Sequence, residues 1–229
     1  FQNRNAEAMA ALDQIFEKYK SHSLADDILW LRANTNLKIN KPQKALEDLK
    51  NKYPNANLAD IRDIDSFIKF VNILATRSGT ILNKSSLSND VGIKDITCEN
   101  YLSIINRIYQ ATLLRPYFIN IGKTFVKSPK VFFNDTGVLC SLLRINSKEQ
   151  LINSPYSGQI YETYVFCELQ KHLSYLQKSS QIFHYRTNDK KEIDFIIEID
   201  DEILAIEIKQ SSSVKKDDFK HIIDFQNRY

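Results

Sequence analysis

The chain is expected to be a multidomain protein of mixed class, α+β with α/β character. A helical repeat is followed by a helix-rich middle region and then by a small mixed sheet. Three observations predict this. Residues 11–26 align with residues 45–60 at an offset of 34. From Ile64 to Tyr109 the apolar residues recur at the three- and four-residue spacing of amphipathic helices, and between Gln181 and Lys209 they alternate with period two. These changes of pattern divide the chain into 1–60, 61–130 and 131–229, the last with its core at 156–221.

Bulk composition sets the bounds. The 229 residues are 43% apolar and 26% charged, with five glycines and five prolines, which suits folded domains without long flexible linkers. A net charge of +3 permits contact with nucleic acid without signalling it. Cys98, Cys140 and Cys167 are odd in number, far apart and without a second ligand at metal spacing, so they read as free thiols of a reducing compartment. No apolar run approaches the roughly 18 residues a membrane span needs, and no charged-then-apolar leader opens the chain. The expectation is a cytoplasmic protein without a membrane partner. Because it opens at Phe1 rather than Met, it reads as a fragment or a processed form.

The first segment carries the repeat. Ala11/Ala45, Leu12/Leu46, Lys18/Lys52, Tyr19/Tyr53, Leu24/Leu58, Ala25/Ala59 and Asp26/Asp60 are identical pairs. Helices are expected near Ala6 to Tyr19, Leu24 to Leu37 and Pro42 to Tyr53, with Pro42 suited to a first turn and Pro54 to a stop. A two-helix period of this length resembles the tetratricopeptide repeat, which in long arrays binds peptides or partner proteins. Fewer than two units are present, whereas a free-standing stack needs roughly three or more. Two readings follow: a surface for protein partners, or a cap on the next domain, and the shortness of the array favours the cap.

The middle segment is expected to form helices at Ile64 to Ala75, Ser85 to Val91 and Thr97 to Tyr109, then an extended stretch from Leu113 to Lys127. That order is winged-helix-like. Outward positions of its third helix, Thr97, Glu99, Asn100, Ser103 and Arg107, are not basic as a set, so protein contact is as good a reading as DNA binding. Gly122-Lys123-Thr124 is not a phosphate loop: Tyr117 stands where the leading glycine belongs and no helical pattern follows. No ATP site is expected in this chain.

The chemistry gathers in the third segment. A helix over Gly158 to Leu173 places Glu162 on the same face as Val165, Phe166, Leu169 and Leu173, and a carboxylate so placed must reach an edge, pair with a cation or bind a metal. Strands are expected at Gln181 to Arg186, Glu192 to Ile199 and Ile203 to Lys209. A turn at Asp200-Asp201 sets Ile199 across from Glu202, Ile197 across from Leu204 and Asp194 across from Glu207, since an odd loop would set apolar residues against the polar face. Two facing carboxylates are destabilising without a cation. With Glu162 and the nearby Lys209 they make a candidate site for Mg2+ or Mn2+, in which Glu162, Asp194 and Glu207 are the metal ligands and Lys209 orients water or offsets developing charge. The bland alternative is a solvated polar hairpin face.

Gly158, Glu162, Val165, Glu168 and Leu169, then His184 to Thr187, Glu192 to Phe195 and Ile206 to Lys209, together resemble the PD-(D/E)XK superfamily, a restriction-endonuclease-like fold. More narrowly the chain resembles the domain-of-unknown-function 4143 family over about residues 62–221, with the Lys127-Ser128-Pro129-Lys130 to Asp135-Thr136-Gly137 block as the most specific part. This resemblance implies metal-binding roles for Asp194 and Glu207, a catalytic role for Lys209 and a helix-borne glutamate at Glu162. It also implies that the segment is normally the carboxyl-terminal half of an AAA-type ATPase. Two functions are therefore expected to compete. One is metal-dependent phosphodiester hydrolysis of DNA, with Lys190, Lys191, Lys215 and Lys216 as phosphate contacts. The other is a non-catalytic interaction or regulatory module with tetratricopeptide-type partner binding.

Overall fold

The computed structural model describes residues 2–20, 25–39, 41–52, 63–117, 128–176, 178–210 and 213–227. Tyr53, Pro54, the far part of the extended stretch and Gly122 to Thr124 lie outside the described residues. The architecture is mixed α+β, helix-rich, with two small three-stranded antiparallel sheets. The chain divides into two compact units, one made of Phe1–Thr76, Lys84–Ala111 and Phe133–Ser157, the other of Arg77–Asn83, Thr112–Phe132 and Gly158–Tyr229. Residues 133–157 thus cluster with the N-terminal helices, although the sequence pattern grouped them with the third segment. No helix among the described residues is long and apolar enough to cross a membrane.

The first unit is helical. Helices α1 (Gln2–Tyr19), α2 (Ala25–Lys38) and α3 (Pro42–Lys52) pack in series, close to the expected bounds. The aligned alanines are not equivalent: Ala45 is buried, whereas Ala11 on the outermost helix is exposed. Next come α4 (Ile64–Ala75), α5 (Lys84–Val91) and α6 (Asp95–Arg107). Asp63 caps α4 by accepting from the Ser66 amide at 3.0 Å, and Phe67, Phe70 and Tyr101 form an aromatic cluster between α4 and α6. On α6, Glu99, Asn100, Ser103 and Arg107 face solvent as the periodicity requires, and Glu99 is paired with Lys84 at 2.9 Å.

Asp135-Thr136-Gly137 begins α7 (Thr136–Leu142). Asp135 accepts from the Val138 amide at 2.9 Å and from Lys38 Nζ at 3.2 Å. A Cβ on Gly137 would lie 3.0 Å from both Asp135 Oδ1 and Lys38 Cε, so the glycine makes room for the cap and its ion pair. A short helix, α8 (Lys148–Ile152), completes this unit.

The second unit holds both sheets and a long helix, α9 (Ser157–Tyr175). In one sheet, β3 (Lys130–Phe133) lies between β1 (Thr80–Ile81) and β2 (Ala111–Leu114). In the other, β5 (Glu192–Ile199) lies between β4 (Ser180–Arg186) and β6 (Glu202–Ile206). A parallel bridge from Pro116 to His184 gives β4 a further neighbour. Ile199 pairs with Glu202 and Ile197 with Leu204 across the Asp200-Asp201 turn, the register expected from the apolar pattern. After a 3-10 turn at Lys216–Phe219, helix α10 (Lys220–Gln226) presents Phe225 to the second sheet.

The central strand β5 departs from the expected half-buried pattern, because it is covered on both faces. Phe195 packs with Leu114, Phe132, Phe166 and Cys167, whereas Ile193 and Ile196 pack with Tyr117, Tyr185 and Phe225. Ile193 and Phe195, two residues apart, would share a face in a regular strand. They do not, because the register between β4 and β5 shifts where Phe183 pairs with Ile196 but Tyr185 pairs with Ile193. Between these pairs two residues on β5, Asp194 and Phe195, stand against one on β4, His184, a bulge that reverses which side each later residue takes.

Candidate acidic site of the second unit

Three phenylalanines assemble the site. Phe132 stacks on Phe166 at a centroid distance of 4.4 Å, and Phe195 lies 5.6 Å from Phe132 and 5.9 Å from Phe166. Each brings a polar neighbour with it. On β3 the residue two before Phe132, on the same strand face, is Lys130; on α9 the residue four before Phe166, one turn back, is Glu162. On β5 the bulge carries Asp194 to the side of Phe195 instead of opposite it. Burial of the aromatic trio therefore gathers a lysine and acids at its border.

Lys130 is the centre of the cluster. Its side chain is only 3% exposed, and Nζ lies 2.6 Å from Glu192 Oε1, 3.0 Å from Glu162 Oε1 and 4.0 Å from Asp194 Oδ1. Burial pulls this ammonium toward neutrality, but Glu162 and Glu192 outweigh it, so its pKa is raised and it stays charged. One ammonium serves three carboxylates, and that shortage is felt by the acids. Burial raises Glu162 to about 7 against the opposing pull of Lys130, with Asp194 and Glu192 adding to the rise. Asp194 is likewise raised, first by burial, although it accepts from the Ile208 amide. Glu192 has a second cation, Arg186, at 3.1 Å.

Glu207 and Lys209 occupy the edge. The β5–β6 ladder ends at Phe195 and Ile206, and the next expected rung, Asp194 with Glu207, is not made by backbone. Instead Asp194 Oδ2 accepts from the Ile208 amide at 2.7 Å, so a side chain takes over from the ladder and β6 ends earlier than the pattern predicts. Glu207 remains close enough that Asp194 pushes its pKa up, after burial, while a hydrogen bond from Lys209 at 2.7 Å opposes the rise. The second oxygen, Glu207 Oε2, is buried and accepts no hydrogen bond among the described residues. Of the four residues chosen from sequence, Glu162 and Asp194 converge on Lys130, Glu207 adjoins Asp194, and Lys209 rides on Glu207, 37% exposed.

Two supporting residues complete the surroundings. Gly79, with φ of +76°, accepts the approach of α9: a Cβ there would stand 3.4 Å from the Gln159 carbonyl and 3.5 Å from Glu162 Oε2. His184 is fully buried, with Nε2 3.2 Å from the Ser128 carbonyl and Nδ1 without a hydrogen-bond partner among the described residues. Burial, reinforced by the Lys130 charge, lowers its pKa to about 4, so the ring is neutral and Nε2 is the donor. Of the lysines expected to meet phosphates, Lys191 is bound to Asp224 at 2.8 Å, while Lys190, Lys215 and Lys216 are exposed.

The donor chemistry suits a hard divalent cation. Every candidate ligand is a carboxylate, and Glu207 Oε2 is a buried acceptor without a donor among the described residues. Among the described residues, no three His, Cys, Asp or Glu side chains stand close enough to hold one ion as they are. The Lys130 ammonium lies 3.0 Å from Glu162 and 4.0 Å from Asp194, next to both of these acids. Sequence reasoning missed both Lys130 and Glu192. The signal for Lys130 was a cation opening Lys130-Val131-Phe132-Phe133, a strand buried at every position, where a lysine has to be paired.

Comparison with known proteins bears on both units. Residues 157–229 match the family described as Domain of unknown function (DUF4143), which supports that part of the resemblance. Residues 55–149 match a different family, Domain of unknown function (DUF8612), and the Val126 to Gly137 block falls within this second match. The chain is similar to Uncharacterized protein Rv2008c of Mycobacterium tuberculosis and to Uncharacterized protein Mb2031c of Mycobacterium bovis. Each is 28% identical over 156 residues, covering 67% of this chain and 34% of the relative. The chain thus spans about a third of the length of the curated relatives it matches. No solved structure matches it.

Proposed function

We propose that the second unit is a PD-(D/E)XK nuclease-like domain that hydrolyses phosphodiester bonds of DNA, with Glu162, Asp194 and Glu207 as ligands for Mg2+ or Mn2+. The observation that carries this is the meeting of a helix-borne glutamate and a strand aspartate at one buried cluster, with Glu207 and its bonded Lys209 beside them. A bound divalent ion supplies Lewis acidity toward a phosphoryl oxygen and lowers the pKa of a coordinated water. The protein's own part is positional. Asp194 is fixed by the Ile208 amide and Glu162 by Lys130, while Lys209 places an ammonium where negative charge develops on the phosphoryl group. Lys190, Lys215 and Lys216 are the exposed cations available to the DNA backbone.

A second reading has its own support. Lys130 already neutralises part of the acid cluster, as expected of a nuclease-like module that is non-catalytic and serves assembly or regulation. In that case the tetratricopeptide-like helices and the winged-helix-like α4–α6 are contact surfaces for protein partners. Under either reading the chain is proposed to work beside an AAA-type ATPase in a longer protein, as the resemblance implies. Calorimetric titration of Mg2+ and Mn2+, paired with a plasmid-nicking assay, separates the two. The first reading expects metal binding and nicking by wild type, both lost in Asp194→Ala. Absence of metal binding by wild type removes it and leaves the second.

A further inference from the structure

We infer that Lys130 is a built-in counter-cation that competes with a divalent ion for Glu162 and Asp194 and so sets the metal affinity of the site; this rests on the metal-site reading above. Its geometry is that of an occupant. The ammonium is within hydrogen-bond distance of Glu162 and Glu192, reaches Asp194 at 4.0 Å, and is nearly sealed from solvent. It is carried by β3, which is paired on both sides, so the stem is anchored and the head cannot leave by strand movement.

Simultaneous use of the same carboxylates by both cations is opposed by charge repulsion. Mg2+ draws carboxylate oxygens to about 2.0–2.1 Å. An ammonium 3.0 Å from Glu162 Oε1 would lie beside an ion bound by that carboxylate and repel it. Glu192 offers a way out. It makes the shortest contact with Lys130, 2.6 Å, and is not needed by the metal in the proposed ligand set. Lys130 can therefore withdraw from Glu162 and Asp194 while keeping Glu192 as its partner. Metal entry then exchanges one cation for another at the same carboxylates, and the site need not hold an uncompensated acid cluster when metal is scarce.

The test is Mn2+ titration of the full chain, by calorimetry and by the electron paramagnetic resonance signal of free Mn2+. Lys130→Met, which removes the competitor and keeps the stem, is expected to bind Mn2+ at least about tenfold more tightly than wild type. Glu192→Gln, which removes the retreat partner, is expected to bind it more weakly than wild type. If Lys130→Met does not fold, Glu192→Gln decides alone: unchanged or tighter binding overturns the inference. Equal or weaker binding by folded Lys130→Met overturns it as well, with the metal site intact. If neither wild type nor Lys130→Met binds Mn2+, the metal-site reading itself falls and the inference goes with it. Binding by Lys130→Met that survives the added Asp194→Ala change means that the ion sits elsewhere, which also overturns it.

Discussion

Each unit buries a carboxylate beside a cation, and the two differ in how the charge is met. In the first unit Asp48 is 4% exposed, accepts from Asn36 Nδ2 at 2.9 Å and lies 3.5 Å from an Arg32 nitrogen. Arg32 also reaches Asp13 on α1 at 3.2 Å and covers the Phe16 ring at 4.6 Å. One buried acid thus has a guanidinium and an amide. In the second unit one buried ammonium is divided among Glu162, Asp194 and Glu192, which also pairs with Arg186, and a fourth acid, Glu207, keeps an oxygen with no partner among the described residues. The first arrangement matches its buried charge with a cation and reads as a clamp between helices, although Arg32 Nε and Asn36 Oδ1 are buried without a hydrogen-bond partner among the described residues. The second has fewer cations than acids, and it is this shortage, more than the presence of acids, on which the proposed metal site rests.

The largest expected effect follows from removing the shared cation. Lys130→Ala strands three carboxylates that are between 17% and 30% exposed, and breaking a buried pair from one side typically costs about 3–5 kcal/mol. Urea unfolding followed by far-UV circular dichroism measures it. A loss below about 1 kcal/mol, the range of exposed pairs, would mean that the cluster is solvated and that the contrast with Asp48 is illusory.

A smaller effect sharpens the comparison through pH. Glu162 is raised from 4.5 to about 7, so the folded state holds its proton where the unfolded chain has lost it. The stability this confers is complete below pH 4.5 and disappears as pH rises through 7, at up to about 1.4 kcal/mol per pH unit. His184 has the opposite sign. Lowered from 6.5 to about 4, it contributes stability above pH 6.5 that is lost as pH falls through 4. Between pH 4.5 and 6.5 the two slopes oppose one another. Glu162→Gln, which fixes the uncharged form, is therefore expected to let stability rise with pH across that window, whereas wild type stays flatter. Parallel pH profiles for the two proteins would show that Glu162 does not titrate in this range.

The site was legible in the sequence wherever a periodic pattern survived folding. The spacing of Glu162 to Phe166 on α9 and the parity of Ile199 with Glu202 both carried over, because helix phase and hairpin register are set by local rules. The bulge at Asp194-Phe195 was not legible. It depends on how β4 pairs with β5, and it explains why acids assigned to one face arrive beside the aromatic trio of the other. Lys130 was hidden for a related reason. Its partners come from α9 and β5, 32 and 62 or more positions away, and no local pattern announces them. The early end of β6, before Lys209, is also tertiary, since Asp194 replaces a ladder bond that an ideal strand would have made.

The smallest expected effect tests the other side of the comparison. Asp48→Asn keeps the shape and the oxygen that accepts from Asn36, and removes only the charge. Burial already raises the pKa of Asp48 against the pull of Arg32, so part of its ionised state is held at a cost that the amide does not incur. Arg32, with its side chain 20% exposed, retains Asp13 and access to water. The substitution is therefore expected to change unfolding stability by no more than about 1 kcal/mol in either direction. Because a raised acid stabilises below its unfolded pKa and loses that contribution as pH rises, any difference from wild type should favour Asp48→Asn at high pH. A loss as large as that of Lys130→Ala would show that the N-terminal helices depend on a charge as strongly as the acidic site does, and charge shortage would no longer distinguish the two units.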